Sequence, residues 1–184
     1  MLTLFLLALA LAMDAFAAAL CQGAAAGSAG GTSLRVAGAF GAAQGLMPLV
    51  GWALGIAFAS AVQAVDHWIA LVLLTLLGGR MIREGLARDE ADCAAPLAGW
   101  ALFLASIGTS VDAAAAGVTL PLLGQPLLLA CGIIGLTTAV LSFAGVYLGK
   151  AAGARLGKPA ELLGGAVLIL LGIKIFVEHQ YFGG

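Results

Sequence analysis

Six apolar stretches dominate the chain: Leu2 to Gly27, Val36 to Ala61, His67 to Ile82, Leu97 to Leu120, Leu127 to Gly149 and Ala160 to Val177. A stretch of about 20 apolar residues matches the hydrocarbon thickness of a bilayer. Inside that layer no water bonds to backbone N–H and C=O groups, so each stretch must satisfy its own backbone as a helix. The expected fold is an all-α integral membrane protein of six transmembrane helices. Composition agrees, with 62% hydrophobic and 9% charged residues, where a soluble domain carries roughly 25% charged residues. Six spans use up the 184 residues and leave no soluble domain, and a net charge of −1 gives no reason to expect a nucleic acid partner. The lipid bilayer is the first partner.

The N-terminal stretch lacks the positively charged start of a signal peptide and carries an aspartate, so it is expected to stay as a span. Leu20 stands where a lipobox before Cys21 needs a small residue. Cys21 and Cys131 lie within apolar runs, and all three cysteines are read as free thiols with no disulfide framework.

Basic residues set the orientation. Arg35, Arg80, Arg83, Arg88, Lys150, Arg155 and Lys158 fall on the side of loops one, three and five, and only Lys174 lies toward the other. By the positive-inside rule those loops are cytoplasmic and both termini extracytoplasmic.

Two aspartates interrupt the lipid-like runs: Asp14 in the first span and Asp112 in the fourth. A carboxylate at a helix centre costs about 2.5–3.5 kcal/mol on insertion scales, so such residues generally face an interior and serve transport, proton relay or catalysis. The two lie 98 residues apart, as do Gly51 and Gly149, and Gln44 and Ser142. Leu76-Leu77-Gly78-Gly79-Arg80 is answered by Leu170-Leu171-Gly172-Ile173-Lys174 at an offset of 94. Small residues at i, i+4 spacing, such as Gly41 with Gly45 and Gly145 with Gly149, let helix backbones approach closely in lipid.

These offsets imply two three-helix repeats, residues 1–86 and 97–184, joined by a cytoplasmic linker at 87–96 within one membrane domain. An odd number of spans per copy inverts the second relative to the first. Inverted repeats place substrate sites of many secondary transporters near the midplane, and Asp14 and Asp112 are equivalent under that operation. Two carboxylates brought together repel unless a proton or cation lies between them. Thr109, Gln44 and Ser142 add oxygen donors nearby, and Thr119 follows Asp112 by two turns. Oxygen ligands suit Mg, Ca and Mn better than Zn or Cu. The expected metal site is Asp14, Asp112, Thr109, Gln44 and Ser142, with no resident cofactor.

Blander roles compete elsewhere. Arg80 and Lys174, each with a glutamate one turn on, read as snorkelling anchors or gating ion pairs. Asp66, His67, Glu178 and His179 read as interfacial anchors or an acidic exit rim, and Asp89, Glu90 and Asp92 as a solvated linker or a metal sensor.

The chain resembles the MntP manganese efflux pumps, within the LysE exporter superfamily. The resemblance rests on Met13-Asp14-Ala15-Phe16-Ala17, Phe40-Gly41, Pro48-Leu49-Val50-Gly51-Trp52, His67-Trp68-Ile69-Ala70, Leu77-Gly78-Gly79-Arg80-Met81-Ile82, Thr109-Ser110-Val111-Asp112-Ala113, and Lys158 with Ala160-Glu161-Leu162-Leu163-Gly164-Gly165. It implies export of Mn2+ across the bacterial inner membrane, with both aspartates essential and no enzymatic activity. The family pattern carries lysine where this chain has Gln22 and glutamate where it has Gln44; the two amides read either as one compensated loss of an ion pair or as a change in the ion chosen. Other readings stay open: an exporter of another divalent metal or of an amino acid, an intramembrane aspartyl protease, or a scaffold. Against the protease, Met13 and Ser110-Val111 replace its Tyr and Gly-x-Gly signatures. An amino acid would need a cation for its carboxylate, for which the core offers Lys174. The sequence also leaves a homo-oligomer open.

Overall fold

The computed structural model describes residues 1–26, 30–57, 66–87, 97–120, 124, 126–152 and 157–182. They form seven helices and, among the described residues, no strand: α1 (Leu2–Ala26), α2 (Gly30–Ala57), α3 (Asp66–Ala87), α4 (Trp100–Gly108), α5 (Val111–Thr119), α6 (Leu127–Ala152) and α7 (Gly157–Phe182). The segments Leu2–Ala25, Gly31–Ile56, Trp100–Val118 and Leu127–Ala151 are long and apolar enough to cross a membrane. Of the remaining helices, α3 carries Asp66, Arg80, Arg83 and Glu84, and α7 carries Lys158, Glu161, Lys174 and Glu178. Among the described residues, four of the six expected spans are thus long and apolar enough to cross a bilayer.

The distribution of polarity is that of a protein solvated by lipid. Leu2, Leu34, Leu76, Leu128 and Leu136 are exposed on the outside, while Gln44, Ser110, Thr138 and Ser142 are fully buried. A water-soluble protein of this size would hide much of that leucine surface.

The fourth expected span departs from a single helix over Leu97 to Leu120. It starts only at Trp100, because Gly99 takes φ 54° and ψ −125°, outside the helical region. It then breaks at Thr109 and Ser110. The Ser110 N–H bonds to the Ile107 carbonyl in a tighter turn, and the Ser106 carbonyl instead accepts the hydroxyls of Thr109 and Ser110 at 3.2 and 2.7 Å. Hydroxyls that satisfy a carbonyl from within the helix commonly bend or interrupt it.

Helix α6 sits between α1 and α2, while α7 packs on α3 and α1, and α5 on α2 and α3. Glycine sets these approaches. A Cβ on Gly149 would run into the α1 backbone at Leu20, and one on Gly23 into the α6 backbone at Val146. Gly51 meets Ala114 in the same way, Gly117 meets Pro48, and Gly78 and Gly165 face each other. Removing the side chain on one side brings the backbones into van der Waals contact, the main attraction between helices when lipid removes the hydrophobic drive. Trp68 stacks edge-on against Phe176 at 4.7 Å and ties one end of α3 to α7.

The cysteine expectation needs correction. Cys131 is free and buried, but Cys21 is disulfide-bonded, its partner lying outside the described residues. Proximity accounts for this: the Leu97 N–H donates to Gln22 Oε1 at 2.7 Å, drawing the approach to α4 against the end of α1 where Cys21 sits.

Candidate functional site

Asp112 is the second residue of α5, just beyond the helix break. Its Oδ1 accepts the Ala113 N–H at 2.7 Å, the favourable placement of a carboxylate at a positive helix start. Helix capping uses only that oxygen. Oδ2 is buried without a hydrogen-bond partner among the described residues. A buried carboxylate oxygen left over in this way is available to a ligand.

Asp14, half-buried near the middle of α1, lines the same cleft. The other walls are Leu77, Arg80 and Met81 of α3 and Gly108 at the end of α4, and the enclosed volume is about 10 Å³. That is close to one water molecule. Asp14 and Arg80 are the charged neighbours that Asp112 feels, one repelling and one attracting its negative charge. Gly108 brings the negative end of α4 to the cleft, and helix ends of this kind hold cations in transporters with discontinuous helices.

The other three expected site residues do not line this cleft. Thr109 lies at the helix break, its hydroxyl donated to Ser106. Gln44 is fully buried and donates from Nε2 to the Leu11 carbonyl at 3.0 Å, one turn before Asp14, while its Oε1 has no hydrogen-bond partner among the described residues. Ser142 and, one turn before it on α6, Thr138 are likewise fully buried with unpartnered hydroxyls. The idea that Gln22 and Gln44 replace an ion pair fails on geometry. Gln22 bonds to the Leu97 backbone, and Gln44 bonds to Leu11, eleven residues earlier in α1 and so about 16 Å along the helix.

Sequence reasoning placed Arg80 at a helix end, and the structure puts it in the cleft with both aspartates. Its position near a span terminus hid this; the signal was Gly78 two residues before it, where α3 packs closely on α7 at Gly165. Lys174, its counterpart, is exposed and donates to Thr3 Oγ1 at 2.9 Å, away from the cleft. The side chains of Asp66, His67, Glu84, Thr119, Glu178 and His179, and residues Asp89, Glu90, Asp92 and Cys93, lie outside the described residues.

The fold and the cleft define a multi-pass helical membrane protein with charged groups gathered inside its apolar body. A family model described as "Putative manganese efflux pump" matches residues 29–176. The chain is 46% identical to a "Putative manganese efflux pump MntP 1" of Wolinella succinogenes over 99% of this chain and all of the relative. It is 47% identical to a "Putative manganese efflux pump MntP" of Sorangium cellulosum, covering 96% of this chain and 95% of that one. A Rhodospirillum rubrum relative of the same description is 42% identical, with 96% of each chain covered. The chain belongs to the MntP family. No solved structure matches it.

Proposed function

We propose that the protein exports Mn2+ from the bacterial cytoplasm across the inner membrane as a secondary transporter, with Asp14 and Asp112 as metal ligands. The observation that carries this reading is the convergence of two carboxylates, 98 residues apart in sequence, on one intramembrane cleft. Two carboxylates balance a dication. Hard oxygen donors such as these carboxylates fit Mn2+ better than softer metals. The names of the relatives supply the metal and the direction.

We further read α1–α3 and α4–α7 as two inverted three-span repeats, six spans in all, with both termini extracytoplasmic. Helix contacts support the symmetry. The α1–α6 contact has its counterpart in α2–α5, and α1–α7 in α3–α5, while α2–α6 and α3–α7 map onto themselves. Individual residues agree: Gly41 packs against Ala139, its own equivalent at an offset of 98, and Gly78 with Gly165 corresponds to Gly172 with Leu71 at an offset of 94. The ion reaches the aspartates from the cytoplasmic side, and rocking of one repeat against the other opens the cleft outward. There protons or water take the place of the metal on the carboxylates, which makes the cycle a proton antiport. Gln44 Oε1 and Ser142 Oγ, buried and without a hydrogen-bond partner among the described residues, join the ion's ligands as α2 and α6 shift, and Thr109 shapes the break that brings Gly108 to the cleft.

An amino acid exporter is the second reading, since Arg80 brings to the cleft the cation that Lys174 does not. The cleft's small volume and the family both favour the metal. Expression in a manganese-sensitive bacterium tests the choice. The wild-type chain should restore growth in excess Mn2+, and Asp14→Asn and Asp112→Asn, at equal membrane levels, should not. Rescue by both variants would refute the assignment.

A further inference from the structure

We propose that Arg80 is the tethered counter-cation of the Asp14 and Asp112 pair: its guanidinium balances the carboxylates in the metal-free protein and withdraws when the dication binds. This inference rests on the metal-transport reading above and adds a resident competitor to it.

Three observations carry it. Arg80 lines the same cleft as both aspartates, and its positive charge acts on Asp112 against the negative charge of Asp14. The cleft, at about 10 Å³, has room for about one water and not for a dication with its ligand oxygens. A wall must therefore move. The backbone of α3 is held where Gly78 packs against the backbone at Gly165, so helix displacement is the harder route. Arg80 is the only lining side chain that is both long and exposed, and its stem can lie along apolar surface while the guanidinium moves toward the headgroups.

Charge gives the direction of the effect. Two carboxylates and one guanidinium sum to −1. Metal with Arg80 still in place would bring the cluster to +1 with two cations crowding the same oxygens, and metal with Arg80 withdrawn is neutral. An arginine cannot escape by losing its proton, so it must leave bodily. The repeat supplies no second base, because Lys174 is bonded to Thr3, eleven residues and about 16 Å along α1 from Asp14. Among the described residues, Arg80 is the one cation lining the cleft to compete with the ion, which weakens Mn2+ binding and speeds its release.

The test uses the purified full chain in detergent and in proteoliposomes, with Mn2+ as the probe and wild type, Arg80→Gln, Arg80→Lys and Asp112→Asn compared. Removing the competitor should lower the KM for Mn2+ about tenfold and lower kcat as well, because the product ion is no longer pushed off. Arg80→Lys keeps a cation and should stay within a few-fold of wild type. Binding gives a readout separate from transport: saturating Mn2+ should raise the thermal midpoint of Arg80→Gln more than that of wild type, since among the described residues the variant's cleft has no cation in its lining. A KM that is unchanged or raised in folded Arg80→Gln, or an equal Mn2+ shift in both proteins, overturns the proposal. If Arg80→Gln does not fold, an Arg80→Lys protein with KM raised tenfold or more overturns it equally. Failure of wild type to move Mn2+, or full activity of Asp112→Asn, would instead sink the metal-transport reading itself.

Discussion

Alanine at Gly149 and at Gly132 makes the same chemical change in the same helix, α6, and the structure predicts opposite outcomes. Around Gly132 an added Cβ meets nothing within 4 Å, whereas at Gly149 it would strike the carbonyl of Leu20 on α1. Alanine is intrinsically preferred over glycine in a helix by about 1 kcal/mol, so Gly132→Ala should be stabilising by up to that amount. Gly149→Ala has the same gain but must push α1 and α6 apart, an overpacking cost of about 1–3 kcal/mol. Its neighbour is backbone rather than a flexible side chain, which puts the cost at the upper end. The two variants should differ by about 2–3 kcal/mol in unfolding experiments in micelles. Gly51→Ala, facing the Ala114 carbonyl, should match Gly149→Ala. Equal stability of the Gly132 and Gly149 variants would refute the claim that glycine contact between backbones holds the bundle together.

Gln22→Ala should cost about 1 kcal/mol, the worth of one hydrogen bond, and amide exchange at Leu97 should quicken because its N–H loses the Oε1 acceptor. Ser142→Ala should leave stability unchanged or raise it by up to about 1 kcal/mol, because a buried hydroxyl without a partner is removed. If Ser142 ligates the moving ion, the same variant should raise the KM for Mn2+ several-fold in flux measurements, a loss of function without loss of fold.

Much of this molecule could be read from residue type and spacing. Asp14 and Asp112 stood out because a charge in an apolar run is costly, and they do come together. The glycine pairs were visible for a similar reason, since small residues recurring every four positions have one obvious use in lipid. The break in the fourth span was not visible to hydropathy, because Gly108-Thr109-Ser110 is mild enough to pass as membrane sequence. Its signal was the run of hydroxyls at Ser106, Thr109 and Ser110, which reach back to the Phe103 and Ser106 carbonyls. Arg80 was read as an anchor or a gating ion pair and left out of the expected metal site because basic residues near span ends so often reach for headgroups. The paired reading of Gln22 and Gln44 failed because a family pattern says which residues change together and not how far apart they sit. The disulfide of Cys21 escaped for want of any local mark: an apolar setting looks the same for a free thiol and for a half-cystine.

Mn2+ flux into proteoliposomes holding the purified protein, with a pH-sensitive dye inside and Asp112→Asn alongside, tests the central claim most directly. The account predicts Mn2+ movement that Asp112→Asn abolishes, with a proton signal of opposite direction. Correctly folded wild-type protein that moves no Mn2+, or moves it equally well without Asp112, would contradict it.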